Sequence, residues 1–521
     1  MEPAFLGIDI GTSGVKALLV SHDGSVLASA GAEYPLRSPH PLWAEQDPRD
    51  WWDAVRKALR TLDGMRSVSL RRVSAVGLTG QMHGLVALDV RGEPVRPCIL
   101  WNDQRTFREC ARITEAVGAD RILRITGKPV LPNFTAPKLL WLRVNEPDAY
   151  ARTAHVLLPK DYIRYRLTGA MHGDVSDASG TSLLDVGTRR WSDEMIAALE
   201  IPYPWLPELY ESPQVTAAVS PEAARETGLR EGIPVVAGAG DQAAEAVGAG
   251  VVAPGDVSLA LGTSGVVFAA LPSYRYDAAG RIHTYCHAVP GGWHVMGVML
   301  SAGGSLRWYR DTFGDTEKSA ASARGADAYD ILTAEAAEAP PGCDGLLFLP
   351  YLSGERTPHA DPSARGVFFG FTLRHRKAHF TRAVLEGVGF GLRDALGLVR
   401  SLGLRVDSVR ATGGGIRSAV WRRILADILG VDILTVNTAH GAAFGAALLA
   451  GTGAGFFASV EEAVARTVLV TGRETAGEAS LFYERLYERY SALYPALRGE
   501  FTHMREFLER EAGKGGEGEG E

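Results

Sequence analysis

The sequence predicts an α/β protein of two related domains that offer matching loops to a shared cleft. Three observations lead there. The pattern strand–Gly-Thr-Ser-Gly–strand occurs twice, starting at Gly11 and at Gly262, and 262 less 11 separates the copies by 251 positions, close to half the chain. Such recurrence is the mark of a duplicated unit. Apolar runs also end twice in glycine and feed a helical segment, at Pro234 to Asp241 and at Val409 to Ser418. Finally, 521 residues exceed what one core ordinarily serves, so two or three domains are expected.

Phe5 to Asp9 reads as a short apolar strand, Gly11 to Gly14 as a tight turn, Val15 to Val20 as the returning strand and Val26 to Ala30 as a third. Taken alone, a Gly-Thr-Ser-Gly turn is either a plain hairpin or a phosphate loop, since small residues let backbone N–H groups approach an anion and Thr12 and Ser13 add donors. Its repetition favours the phosphate loop, and Lys16 is within reach of the same anion. Asp9 just before the turn would repel phosphate unless a divalent cation lies between them, so Asp9 implies Mg²⁺. Asp47 and Pro48 read as the N-cap and first residue of a helix to about Leu62, and Glu45 is either structural or part of a sugar site. Val73 to Leu78 is a strand ending in Thr79-Gly80-Gln81-Met82-His83-Gly84, the position where open α/β sheets bind ligands. Met82 and His83 are candidate hydroxyl contacts there, although a lone His is as often simply hydrogen-bonded in place. Trp101 has the face to stack on a sugar, and Asp103 with Arg105 forms a local ion pair. Asn133 to Lys138 and Asp174 to Thr181 read as loops from their Ser, Thr and Asp content.

At Pro234 to Gly250 a β-branched run leads through Gly238 and Gly240 to a single acid, Asp241, at the start of a small-residue helix. A carboxylate at a strand-to-helix turn is rigidly held and close to backbone donors, which suits a base that takes a proton from an alcohol. Leu259 to Val267 repeats the hairpin with Gly262, Thr263 and Ser264 at its turn. Leu300 to Ser305 opens a helix whose Gly303 and Gly304 let a nucleotide lie against its start. Asp315 to Asp327 is either a mobile loop or a surface helix, and Leu346 to Leu352 is a strand. Thr381 to Leu402 is a long amphipathic helix. The strand Val409 to Thr412 runs into Gly413-Gly414-Gly415 and a helix from Ser418, a turn that suits either a flat ligand such as adenosine or an ordinary tight βα connection. Gly441 to Ala450 is a small-residue helix, Ser480 to Glu511 a charged helix, and Gly513 to Glu521 a tail expected to be disordered.

Composition bounds the function. Apolar residues make up 46% and charged residues 22%, an ordinary globular balance, and the net charge of −7 argues against a nucleic-acid or acidic-membrane binder. Cys98, Cys110, Cys286 and Cys343 show no CxxC spacing, so neither a zinc site nor a disulfide framework is expected, which fits a reducing cytoplasm. The opening MEPAFLGIDIG has no basic stretch, so no signal peptide is expected. The uncharged run Ile433 to Val460 reads as strand, helix and turn rather than a membrane span. There is no G-x-x-x-x-G-K-[ST] loop and no protein-kinase motif set. Gly238 to Ala243 does fit the dinucleotide fingerprint, but Asp241 would point its charge at the pyrophosphate, so a nicotinamide oxidoreductase is disfavoured.

These residues resemble the FGGY carbohydrate kinases of the actin-like ATPase superfamily, along the chain from Phe5 to about Ala450. Ile8-Asp9-Ile10-Gly11-Thr12-Ser13 with Lys16, Gly80-Gln81-Met82-His83-Gly84, Pro97 to Arg105, Phe134 to Lys138, Leu158 to Tyr162, Asp174 to Gly180, Ala237 to Gly248, Leu261 to Gly265, Tyr351 to Pro358 and Gly413 to Ser418 carry the likeness in the family's order. The resemblance implies two actin-like (ribonuclease H-like) ATPase domains flanking a central cleft, at 1–246 and 247–488, with 489–521 as a C-terminal helix and tail. It implies transfer of the ATP γ-phosphoryl to a sugar's primary alcohol, with D-xylulose first among ketopentoses. Ribulose, glycerol or an erythritol-like polyol stays open because Gln242 stands where the family's xylulose-phosphorylating members commonly have Asn. The roles it implies are Asp241 as base; Met82, His83, Trp101 and Gln242 on the sugar; Gly11, Thr12, Ser13, Lys16, Gly262, Thr263 and Ser264 on the phosphates; Gly303, Gly414, Gly415 and Ser418 on the nucleoside; and Mg²⁺ held by Asp9 through water. The expected setting is a cytoplasmic enzyme with sugar and ATP as partners, no nucleic acid or membrane, and a homodimer as an open assembly state. A non-catalytic sugar sensor of this fold would be expected to have lost the base or a phosphate loop, and neither is lost here.

Overall fold

A computed structural model describes residues 3–65, 69–437 and 440–515. The chain packs into two compact units. Among the described residues, the first holds those of 3–255, 270–295 and 437–469, and the second those of 256–269, 296–436 and 470–515. The segment 437–469 thus groups with the first unit, whereas halving the sequence assigns it to the second domain.

In the first unit the hairpin Ala4–Ile10 and Gly14–Ser21 pairs antiparallel, with Asp9 opposite Lys16. Ala4–Ile10 also pairs in parallel with Val73–Gly80, so that Asp9 lies beside Thr79. The sheet order is Val215–Ala218, Pro234–Val236, Val73–Gly80, Ala4–Ile10, Gly14–Ser21, Val26–Glu33. Strand alternation divides the first strand between two cores. Leu6, Ile8 and Ile10 join Trp51, Trp52, Val55 and Leu59 of the helix Pro48–Asp63, which starts as expected at an Asp47 N-cap bonded to Arg49 N at 3.0 Å. Phe5 points to the other face, into a cluster with Ala443, Phe444 and Ala447 of the helix Gly441–Gly453. Gly7 and Gly77 show why that helix is built of small residues. A Cβ on either glycine would stand 1.9 Å from the carbonyl oxygen of Ala443 or Ala446, so the helix lies directly on the strand backbones. By the same alternation Asp9 leaves the strand on this helix-covered face.

The second unit repeats the arrangement. Val257–Leu261 and Gly265–Leu271 form an antiparallel hairpin, and Val257–Leu261 pairs in parallel with Ser408–Thr412. The sheet continues through Asp432–Val436 to Val470–Glu474. Helices Lys377–Ser401 and Ala419–Leu429 pack together, Trp421 Nε1 donating to Leu385 O at 3.2 Å.

Some local expectations change. Asn133 to Lys138 is not all loop: a helix begins at Thr135 and runs to Asn145, because Pro137 falls in its first turn, where proline is tolerated. Asp174 to Thr181 is a buried pair of helical turns, Val175–Ala178 and Ser179–Thr181, with Asp174 as N-cap to Ser176 N and Asp177 N. The polar stretch from Asp315 is a helix, Asp315–Arg324, and the strand within Leu346 to Leu352 is only Leu347–Leu349. Glu45 is structural, clamped by Arg96 at 2.6 Å and Arg105 at 2.8 Å. The final helix extends from Ser480 through Gly515, so the first residues of the expected tail are helical, and 516–521 lie outside the described residues. Among the described residues no helix is long and apolar enough to cross a membrane.

Candidate active site

In the first unit the acids converge at the end of the first strand. Asp241 is the first residue of the helix Asp241–Gly248, and its own carboxylate accepts from Gln242 N at 2.7 Å. A carboxylate there also meets the positive end of the helix dipole. Even so its pKa is pushed up from 3.8 to about 7, first by burial and then by the charge of Asp9, against the lowering by the Gln242 amide. Asp9 itself rises to about 6, from burial and from Glu245, with Lys16 opposing. Lys16 is lowered by burial, against the pull of Asp9. A carboxyl poised near neutrality is the property a general base needs.

The turn before Asp241 and the loop after Val73–Gly80 are packed together. A Cβ on Gly240 would lie 2.9 Å from Met82, and Gly240 N donates to Ser176 Oγ at 3.1 Å. Met82 and His83 are both largely buried. Trp101 is 43% exposed, and its Nε1 donates to Thr12 Oγ1 at 2.9 Å. Thr12 Oγ1 in turn donates to Gln81 Oε1 at 3.2 Å, and Gln46 Nε2 holds Thr12 O at 2.7 Å. The hydroxyl proton of Thr12, expected on a phosphate, is here committed to Gln81. Gly11 is fixed by the Tyr34 hydroxyl, which donates to its carbonyl, and Ser13 is exposed at the tip.

In the second unit the expected nucleotide residues line one cavity of about 320 Å³. Gly262, Thr263, Gly303, Gly414, Gly415 and Ser418 all border it. Ser264 instead closes the turn, its carbonyl accepting from Gly262 N at 3.1 Å. The turn is sealed to the next helix by Gly303 N on Gly262 O at 2.8 Å and Gly304 N on Thr263 O at 2.9 Å. Gly303 has no room for a side chain, since a Cβ would stand 2.5 Å from Gly262 O. Ser418 Oγ caps the helix Ala419–Leu429 through Trp421 N at 3.2 Å.

Comparison with known proteins agrees along most of the chain. The N-terminal domain of the FGGY family of carbohydrate kinases matches residues 4–248, and the C-terminal domain matches 257–454. The chain belongs to the FGGY family of carbohydrate kinases. This FGGY kinase is 43% identical to a xylulose kinase of Escherichia coli strain K12 over 95% of its own length and 99% of the relative's. A crystal structure of a xyloylose kinase from Brucella ovis superposes with a TM-score of 0.87 at 41% identity, covering 95% of this chain and 99% of that one. A xylulose kinase structure from Rhodospirillum rubrum gives 0.88 at 34% identity, over 96% and 100%. The kinase has the two-domain α/β fold of these structures, with actin-like ATPase domains.

Several residues of this candidate site escape sequence reasoning. Glu245 stands one helical turn after Asp241 and raises both Asp9 and Asp241. Its signal is the i, i+4 spacing of the two acids. The cavity wall also includes Arg307, Tyr329, Asp330 and Arg417. Tyr329 and Asp330 sit just beyond the polar stretch for which sequence left loop and helix open, and no motif marks them.

Proposed function

We propose that this FGGY kinase transfers the γ-phosphoryl of ATP to the primary hydroxyl of a ketopentose, D-xylulose before others. Asp241 accepts the hydroxyl proton as the oxygen attacks phosphorus. The new P–O bond forms as the bond to the β-phosphate bridging oxygen breaks, and ADP leaves. The observation that carries this reading is the Asp241 carboxyl, held near neutral pH at a strand-to-helix turn beside a second acid. Phosphoryl transfer asks little covalent chemistry of a protein beyond positioning, charge balance and such a base. Met82, His83, Trp101 and Gln242 orient the sugar. Gly11, Thr12 by its main chain, Ser13, Lys16, Gly262, Thr263 and Ser264 hold the phosphates in this reading. The second unit's cavity, of a volume that suits a nucleoside, takes adenosine against Gly303, Gly414, Gly415 and Ser418.

Among the described residues no group of three or more His, Cys, Asp or Glu is arranged to hold a metal alone. The oxygen donors of Asp9 and its acidic neighbours nonetheless fit a hard divalent cation that arrives with the nucleotide. Asp9 would hold Mg²⁺ through water, and the bound ion would neutralise phosphate charge. The four cysteines are unpaired and buried, in keeping with a cytoplasmic setting.

ADP release from ATP and Mg²⁺ with D-xylulose, D-ribulose, glycerol and erythritol tests the reading. The highest kcat/KM is expected for D-xylulose. A higher value for another acceptor would replace the substrate, and no sugar-dependent ADP release would end the proposal.

A further inference from the structure

The loop bearing Met82 and His83 adopts a backbone that its sequence does not favour. His83 has φ +71°, in the left-handed region that non-glycine residues occupy at a cost. Such a conformation persists only where its surroundings over-determine it. Here the His83 carbonyl accepts two bonds from the helix Thr135–Asn145, from Lys138 Nζ at 2.8 Å and from Thr135 Oγ1 at 3.1 Å. The His83 ring is pinned from another side by Gly180 O, 2.9 Å from Nδ1, and stands edge-on to Phe134.

Lys138 is the unusual member. It is 0% exposed, and its second bond also goes to a main-chain carbonyl, Asn133 O at 2.8 Å. Asp103, Arg105, Cys98 and Cys110 face it, but among the described residues no carboxylate oxygen lies within ion-pair distance of its Nζ. Burial accordingly pushes the amine down to about 7. A buried ammonium that spends its donors on neutral carbonyls is costly, and an apolar chain of the same length would usually serve stability better.

We propose that Lys138 is a positioning residue for the sugar site: it fixes the His83 peptide in its left-handed turn and so sets sugar affinity without touching the sugar. This rests on the reading, proposed above, that His83 contacts the sugar.

Steady-state kinetics of the full chain test it, with thermal melting alongside. Lys138→Met keeps length and removes the donors, Thr135→Val removes the other donor at constant shape, and His83→Ala tests the contact itself. Lys138→Met is expected to raise the sugar KM roughly tenfold with the ATP KM unchanged and the melting temperature held or raised. Thr135→Val should raise the sugar KM severalfold. His83→Ala should raise it on its own, and adding Lys138→Met to it should do little more, since the two act as one unit. An unchanged sugar KM in His83→Ala overturns the contact and the proposal with it. A raised sugar KM there, with wild-type values in Lys138→Met and Thr135→Val, overturns only the positioning role. Equal effects on the sugar and ATP constants, or full additivity with His83→Ala, overturn it too. Should Lys138→Met not fold, a wild-type sugar KM in Thr135→Val decides against it.

Discussion

Asp241→Asn separates what the proposed base does for catalysis from what it costs the fold. The folded carboxyl titrates at about 7, against an ordinary 3.8. At 1.36 kcal/mol per pH unit that gap caps the stability effect at about 4 kcal/mol. Solvent reaches part of the side chain and part of the gap is the charge of Asp9, so about half, roughly 2 kcal/mol, is a fairer expectation. The sign follows from the direction. A raised carboxyl pKa means that the folded state holds its proton more tightly than the unfolded one. The stability this gives is complete below about 3.8 and is lost as pH rises through about 7. At pH 8 the wild type therefore bears the cost of a buried negative charge that asparagine does not. Asp241→Asn should melt about 2–3 °C higher at pH 8 and at the wild-type temperature near pH 4. Turnover should fall about 10²–10⁴-fold. Differential scanning fluorimetry across pH, with coupled ADP assays, reads both. Near wild-type turnover would remove Asp241 as the base, and a lower melting temperature at pH 8 would show that its charge is stabilised rather than strained.

Asp9→Asn should move the rising, acid-side limb of kcat/KM for the sugar to lower pH, because the Asp9 charge helps to hold Asp241 up. A pH–rate profile that keeps its midpoint would contradict that coupling. Gly303→Ala should raise the ATP KM at least tenfold with the sugar KM unchanged, since the new Cβ would stand 2.5 Å from Gly262 O and push the hairpin from the helix start. Equal changes in both constants would count against a nucleotide role. Ser418→Ala removes an N-cap worth about 1 kcal/mol and borders the same cavity, so a lower melting temperature and a weaker ATP dependence should appear together.

Much of this was legible because it is local. The two Gly-Thr-Ser-Gly turns, the Asp47 cap and the strand-to-helix turn at Asp241 are each specified by neighbours within a few residues, and backbone chemistry reads them directly. Asn133 to Lys138 and Asp174 to Thr181 misread for the same reason in reverse. Their polar residues look like turn formers, but Pro137 sits where a first helical turn accepts it, and Asp174 spends its carboxylate as a cap. The contact of Lys138 with His83 could not be read at all, because it spans 55 positions.

The harder case is the acidity of Asp241, the proposed base, which no motif contains. Burial is the largest cause of the Asp241 shift, and the helix Gly441–Gly453, some 200 positions further along the chain, packs against the base helix so closely that a Cβ on Gly445 would stand 1.8 Å from Ala244 O. That approach is possible only with glycine and alanine in the facing positions. A stretch that reads in sequence only as a small-residue helix therefore helps to bring Asp9, Glu245 and Asp241 into one poorly solvated group, where the charge of Glu245 opposes that of Asp9 and both oppose that of Asp241. A bulkier residue at Gly445 would lift the helix, admit water, and return Asp241 toward an ordinary carboxylate that stays ionised but is too weak a base at neutral pH. The proton-accepting strength of the site is in this sense written into the small residues behind it as much as into the aspartate.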